Sequence, residues 1–286
     1  DYSTLEARRL DSEEEVRLNR RLAPQVYLGT VPLTTGPDGA LELGGDGEVV
    51  EWLVKMLRLD RDLLLDSMLA RGADLDDGLW RISQLLADFY RSSPPALRDA
   101  AELAARLTAQ VEANRQVLED AGLRDATLLR DRQLRGIERA RCVLAERMAA
   151  GCVVEGHGDL RPEHVYVGEP AAIIDCLEFD RELRVMDRAE ELCFFELECG
   201  FIGRAGVGAR LRLQCLAQLG DRAPDSLLAL YRSHRAATRA KLYLWRAEEP
   251  DGDTPDAWRA RARRYLEIAL SEALPQAIRP GAARVR

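Results

Sequence analysis

Lysine is nearly missing from this chain: Lys55 and Lys241 are the only two, and arginine supplies the remaining cations. Any step that needs an amine therefore has two candidates. A surplus of positive charge is missing too. The net charge is -8, which argues against non-specific nucleic-acid binding, because that needs excess Lys and Arg to displace counterions. Cys142, Cys152, Cys176, Cys193, Cys199 and Cys215 show no C-x-x-C spacing, which excludes a zinc ribbon, and they read as reduced, buried thiols rather than a disulfide frame. No apolar run is long enough for a membrane span, and no signal peptide, internal repeat or low-complexity tract is visible. The expectation is a soluble, cytoplasmic protein without nucleic-acid or membrane partners. Its 286 residues, 47% of them hydrophobic and 31% charged, suffice for one large domain or two unequal lobes.

Ser3-Thr4-Leu5-Glu6 has the form of a capping box, so a helix is expected from there to about Leu22, stopped by Pro24. A chain that opens at a helix cap is expected to continue upstream in the natural protein. Val26 to Leu33, Leu41 to Leu43 and Val49 to Met56 read as strands of an antiparallel meander, divided by Gly36-Pro37-Asp38-Gly39 and Gly44-Gly45-Asp46-Gly47. The second glycine cluster lacks phosphate-loop spacing and reads as a hairpin turn. From Leu57 onward the periodicity is helical: Leu79 to Tyr90, Ala96 to Asp120, Leu128 to Ala149, Asp187 to Cys199, Val207 to Leu219, Asp225 to Ala247 and Asp256 to Ala277. The basic tail Arg279 to Arg286 reads as disordered.

One β interlude, Cys152 to Asp175, interrupts the helices. Val165 to Val167 and Ala172 to Ile174, separated by Gly168-Glu169-Pro170, should pair as a hairpin with Asp159 just before its first strand and Asp175 just after its second. Two carboxylates brought together repel unless a cation lies beside them, and magnesium with a polyphosphate is the obvious candidate. Phosphoryl transfer uses such a pair, one Asp for the attacking hydroxyl and one for the metal.

His157-Gly158-Asp159-Leu160 followed by Ile174-Asp175 resembles the H-G-D-L and I-D pair of the aminoglycoside phosphotransferase and choline kinase group. The resemblance implies an α+β, protein-kinase-like two-lobe fold: a partial small lobe over residues 1–56 and a helical lobe over 57–286 carrying the catalytic loop at 153–191. It implies ATP or GTP with magnesium as cofactors, and an aminoglycoside, sugar or amino-alcohol hydroxyl as acceptor. Asp159 would be the base, Asp175 the main metal ligand and His157 a brace of the loop; Asp187 and Glu191 resemble the acidic pair that follows. Position 164, normally an Asn and a second metal ligand, holds His, a poorer magnesium ligand. The longer phrase around His157–His164 resembles a subgroup often fused to, or found beside, a P-loop domain, so the histidine is read either as that subgroup's own solution or as damage to the site. Kinases of this fold also pair a strand Lys with a helix Glu; Glu14 or Glu15 would be that Glu, no Lys precedes them, and Lys55 sits on a later strand. Met56, at the lobe junction near Lys55 to Asp60, is a candidate adenine contact. Two readings follow: an upstream segment supplies the Lys, or the chain is an impaired pseudokinase or nucleotide-sensing scaffold.

Other readings stand beside these. His157, Asp159 and His164 are candidate transition-metal ligands for hydrolysis, and Cys152 or Cys176 candidate nucleophiles, although both cysteines lie in apolar strand context. The acidic run Asp187 to Glu191 with Glu196 and Glu198 reads as a solvated helix face or an amine-binding patch.

Overall fold

A computed structural model of the protein describes residues 2–96, 99–249 and 254–273; the expected basic tail, the last residues of the final expected helix and two near the start of the expected helix Ala96 to Asp120 lie outside the described residues. The fold is mixed and mostly helical, with small sheets. Its elements are α1 (Leu5–Asn19), β1 (Tyr27–Thr35), β2 (Leu41–Leu43), β3 (Glu48–Met56), α2 (Leu65–Ala70), α3 (Asp76–Ser92), α4 (Ala100–Asp120), α5 (Ala126–Ala149) and β4 (Val153–Glu155). There follow β5 (Val165–Tyr166), β6 (Ala172–Ile173), α6 (Arg181–Arg184), β7 (Val185–Asp187), α7 (Arg188–Phe201), α8 (Ala205–Gln218), α9 (Asp225–Arg246) and α10 (Pro255–Glu272). The chain divides into two compact units, each drawn from three stretches: Asp1–Ser93, Glu155–Met186 and Ala209–Gly220 in the first, Pro94–Val154, Asp187–Gly208 and Asp221–Arg286 in the second.

In the first unit α1 begins one residue later than its capping box implies. Thr4, in extended geometry, takes the amide of Ala7 on its hydroxyl, while Glu6 pairs with Arg9. The helix packs on β1 and β3, and Val16, Ala23, Val26, Tyr27 and Ala172 form the core beneath it. The sheet order is β2-β1-β3, both partners antiparallel to β1, so the expected meander is not formed. Gly44 to Gly47 carries the chain over the end of β1 instead of reversing it beside β2. A Cβ at Gly47 would sit 2.1 Å from the carbonyl oxygen of Thr35, so only glycine lets the crossing lie this close. Helix α3 buries Leu79, Ile82, Leu86 and Phe89, the spacing of one helical face.

The second unit is built of long helices. Its core joins Leu118, Leu129, Phe194, Leu197, Ala236, Ala240, Tyr265 and Ala269, contributed by α4, α5, α7, α9 and α10.

Candidate active site

The β interlude folds into a hairpin, with Val165 opposite Ile173 and Tyr166 opposite Ala172. Both strands are short and, apart from half-buried Tyr166, buried, so the segments entering and leaving them are held at one end. Those segments are the H-G-D-L loop and Asp175.

His157, fully buried, joins the two. Its Nε2 donates to the carbonyl of Ile174 at 2.9 Å and its Nδ1 accepts the amide of Asp159 at 3.3 Å, an assignment that satisfies both ring nitrogens at once. Gly158 has φ +90, and a Cβ there would lie 3.0 Å from Leu177 and 3.1 Å from Arg184, so the loop requires glycine at this position. Asp175 itself adopts φ 64, the left-handed conformation that Asp tolerates better than most residues. Its amide donates to the Tyr27 hydroxyl at 3.2 Å, and the next amide, of Cys176, donates to Asn19 Oδ1 at 2.8 Å. Arg21 adds bonds to the carbonyls of Glu155 and Gly156 at 2.9 and 3.0 Å. The end of α1 and the start of β1 thus hold the backbone that presents Asp175.

His164 lies between the acids. It is 6% exposed; its Nδ1 donates to the carbonyl of Asp159 at 2.9 Å, and its Nε2 is 2.9 Å from Asp175 Oδ2. One ligand atom each from Asp159, His164 and Asp175 fall within 4.8 Å of one another. Burial alone would lower the pKa of His164, but its bond to Asp175 and the two carboxylates raise it above the ordinary value; the same bond lowers the carboxyl of Asp175. The set of two carboxylates and one imidazole suits a divalent cation, and the exposure of Asp175 leaves the cluster open to solvent.

Besides Tyr27 and Arg21, three contributors escaped the sequence reading. Arg161 donates to Asp159 Oδ2 at 2.9 Å, lies 3.1 Å from His164 Nε2 and pairs with Glu163 at 2.8 Å. Its position two residues after Asp159 was the available signal. Arg184, 1% exposed, binds Glu155 at 2.8 Å and the carbonyls of Leu177 and Glu178 at 2.9 Å, pinning the loop after Asp175. Asn19 gave no signal, since a helical Asn is as often a surface residue.

The other expected residues are arranged as follows. Glu14 is bound by Arg17 at 2.6 Å and approached by Arg184 at 3.4 Å. No cation pairs with Glu15 among the described residues. Burial, and then the charges of Glu178, Asp175 and Asp11, push its pKa up to about 7. Lys55 is exposed on β3 opposite Gly29 and makes no ion pair among the described residues; Met56, beside it, is 39% exposed. Cys176 is buried with Arg21 Nη2 3.2 Å from its sulfur, and Cys152 is buried with its thiol pushed up mainly by desolvation, so neither is an accessible thiolate.

The acidic helix is neither a solvated face nor an open patch. Within the second unit Asp187 caps α7 through Ala189 and is clamped by Arg147 and by the Tyr231 hydroxyl at 2.9 Å. Glu190 faces Arg235 and His234 at 2.9 and 3.2 Å, and Glu198 meets Tyr265 at 2.7 Å and Arg239 at 3.2 Å. These carboxylates are buried and matched by arginine, so they hold the helices together.

No family model matches the chain. It is 31% identical over 280 residues to an uncharacterized protein of Mycobacterium tuberculosis and to one of Mycobacterium bovis. The match takes in 94% of this chain and 53% of each relative, so the chain spans about half the length of the curated relatives it matches. Among solved structures it resembles glucosamine kinase in crystal form A, with TM-score 0.52 and 17% identity, covering 83% of this chain and 62% of that one. It also resembles glucosamine kinase in complex with glucosamine, ADP and inorganic phosphate, with TM-score 0.50 and 16% identity, covering 79% and 66%. At such identities the likeness is one of fold, and the fold is kinase-like.

Proposed function

We propose that the chain carries the phosphoryl-transfer site of a small-molecule kinase, moving the γ-phosphoryl group of ATP or GTP to a hydroxyl of a sugar, amino sugar, aminoglycoside or amino-alcohol. The observation that carries this reading is the convergence of Asp159 and Asp175 on His164 at the end of the hairpin, with their ligand atoms within 4.8 Å. In this reading Asp159 orients the acceptor hydroxyl and takes its proton, and the His157 bond to its amide fixes where the carboxylate stands. Asp175 and His164 would hold a divalent cation, which neutralises phosphate charge when bound. Arg161 would present its guanidinium beside the base, a place suited to the transferred phosphoryl oxygens. The neighbours' glucosamine makes amino sugars the first acceptors to try.

The test separates the two acids. Asp159→Ala should reduce transfer by about 100-fold to 10,000-fold while sparing the stabilisation produced by nucleotide, and Asp175→Ala should weaken both. ATP at about a hundred times its dissociation constant adds roughly 2.7 kcal/mol of stability, readable as a thermal shift. Equal loss of nucleotide binding in the two variants would contradict the assigned roles.

A second reading, a nucleotide-sensing or scaffold module with impaired transfer, is favoured by one observation: among the described residues no cation pairs with Glu15. Nucleotide binding without transfer to any sugar or amino-alcohol would support it.

A further inference from the structure

The histidine in the cluster carries information about which cation the cluster takes. His164 is buried, and its Nδ1 is committed to the carbonyl of Asp159 at 2.9 Å. With Nδ1 so committed, Nε2 is the ring nitrogen that can take an ion in exchange for its proton, the arrangement that metal-binding histidines use: one ring nitrogen donates to a backbone carbonyl and the other is left for the ion. Nε2 lies 2.9 Å from Asp175 Oδ2. Two ligand atoms at right angles about an octahedral ion, each about 2.1 Å from it, are about 3.0 Å apart. The spacing of His164 and Asp175 therefore matches adjacent vertices of an octahedron. A positive group already occupies this neighbourhood, since the Arg161 guanidinium lies 3.1 Å from His164 Nε2 and 2.9 Å from Asp159 Oδ2. Glu163, which Arg161 also binds at 2.8 Å, offers that side chain a seat when an ion enters.

We propose that His164 and Asp175, beside Asp159, form a mixed nitrogen–oxygen site that selects manganese over magnesium, with His164 Nε2 as a direct ligand. Magnesium dehydrates reluctantly and takes oxygen donors, so an imidazole in its shell weakens binding. Manganese accepts the same octahedral geometry and the same carboxylates, and as a first-row transition ion it gains from the nitrogen. The inference names the cation of the centre read above as a kinase site and rests on that reading for its purpose, but its test needs neither nucleotide nor turnover.

The experiment is binding of manganese alone to the full chain, followed by electron paramagnetic resonance as free manganese is titrated, with magnesium as competitor. The expected result is one bound manganese that magnesium displaces only at tenfold or greater excess, with nitrogen hyperfine coupling in the pulsed spectrum. His164→Asn should abolish the coupling and lower the manganese-to-magnesium preference at least tenfold. The pulsed spectrum of the unmodified chain decides the matter even where the variant fails to fold. Bound manganese without nitrogen coupling, an unchanged preference in His164→Asn, or no manganese bound at millimolar concentration would each overturn the proposal, the last leaving the 2.9 Å contact a plain ion pair. Selective manganese binding by a chain that neither binds nor transfers from ATP would keep this inference and remove the kinase reading instead.

Discussion

Glu15 shows most clearly how a single residue couples the first unit to pH. With its pKa raised to about 7 by burial and by the charges of Glu178, Asp175 and Asp11, it holds a proton in the folded chain that the unfolded chain releases near pH 4. The folded state thus binds the extra proton between those values, and stability falls as pH rises from about 4 to about 7. Glu15→Gln removes the penalty. After allowance for solvent screening it should gain about 1 kcal/mol at pH 8 and nothing near pH 4, as read from thermal midpoints across that range. Arg184 acts in the opposite sense. Its guanidinium satisfies Glu155 and two carbonyls in a dry setting, so Arg184→Ala should cost about 3–5 kcal/mol by denaturant titration, and Arg184→Lys less. The sequence could not announce this role, because two of its acceptors are backbone carbonyls, which any residue type supplies.

At the level of elements, legibility followed locality. The hairpin at Val165–Ile173 was readable because a short apolar run, a Gly-Glu-Pro break and a second apolar run leave little else for it to be. His157, Asp159, His164 and Asp175 came with it, since the hairpin alone brings its two ends together. The order β2-β1-β3 was not readable: strand propensity tells which residues extend, and the choice of edge depends on what the chain can cross. The crossing itself is open to test. Gly47→Val would drive a side chain into the Thr35 backbone and should cost about 1–3 kcal/mol, whereas Gly206→Ala, on α8 with no atom within 4 Å of the new Cβ, should be neutral or stabilising. Circular dichroism melts of the two variants suffice. The acidic run of α7 misled for a different reason: its charged spacing looks solvent-facing until the arginines of α9, remote in sequence, are placed against it.

For the whole molecule, the scarcity of lysine has a structural counterpart, because the carboxylates of Asp187, Glu190, Glu198 and Asp221 in the second unit are matched by guanidinium groups. Asp221 receives bonds from Arg147 and Arg188 at 2.7 and 2.8 Å. Burial would push its carboxyl up, but those bonds outweigh it, and Glu190 likewise ends below its ordinary value despite burial through Arg235 and His234. Depressed folded-state values mean that this stability is fully present above about pH 4 and is lost as pH falls through the folded values. Asp221→Asn should lower stability at pH 7 by about 3 kcal/mol and flatten its decline below pH 4, as measured by denaturant melts at each pH. A variant with the same acid decline as the parent would remove Asp221 from this account.

The left-handed backbone at Asp175 also bears on how such a chain can change over generations. Most replacements there are penalised by conformation before their chemistry is tested, and Asn and Gly are the exits that keep the loop's shape. Each is one nucleotide change away from Asp. A lineage could therefore shed the carboxylate in a single step and keep the fold intact, which under the proposed kinase reading turns an enzyme into a binding module that superposes on its ancestor. Asn or Gly at the position of Asp175 in a relative would be the mark of that passage.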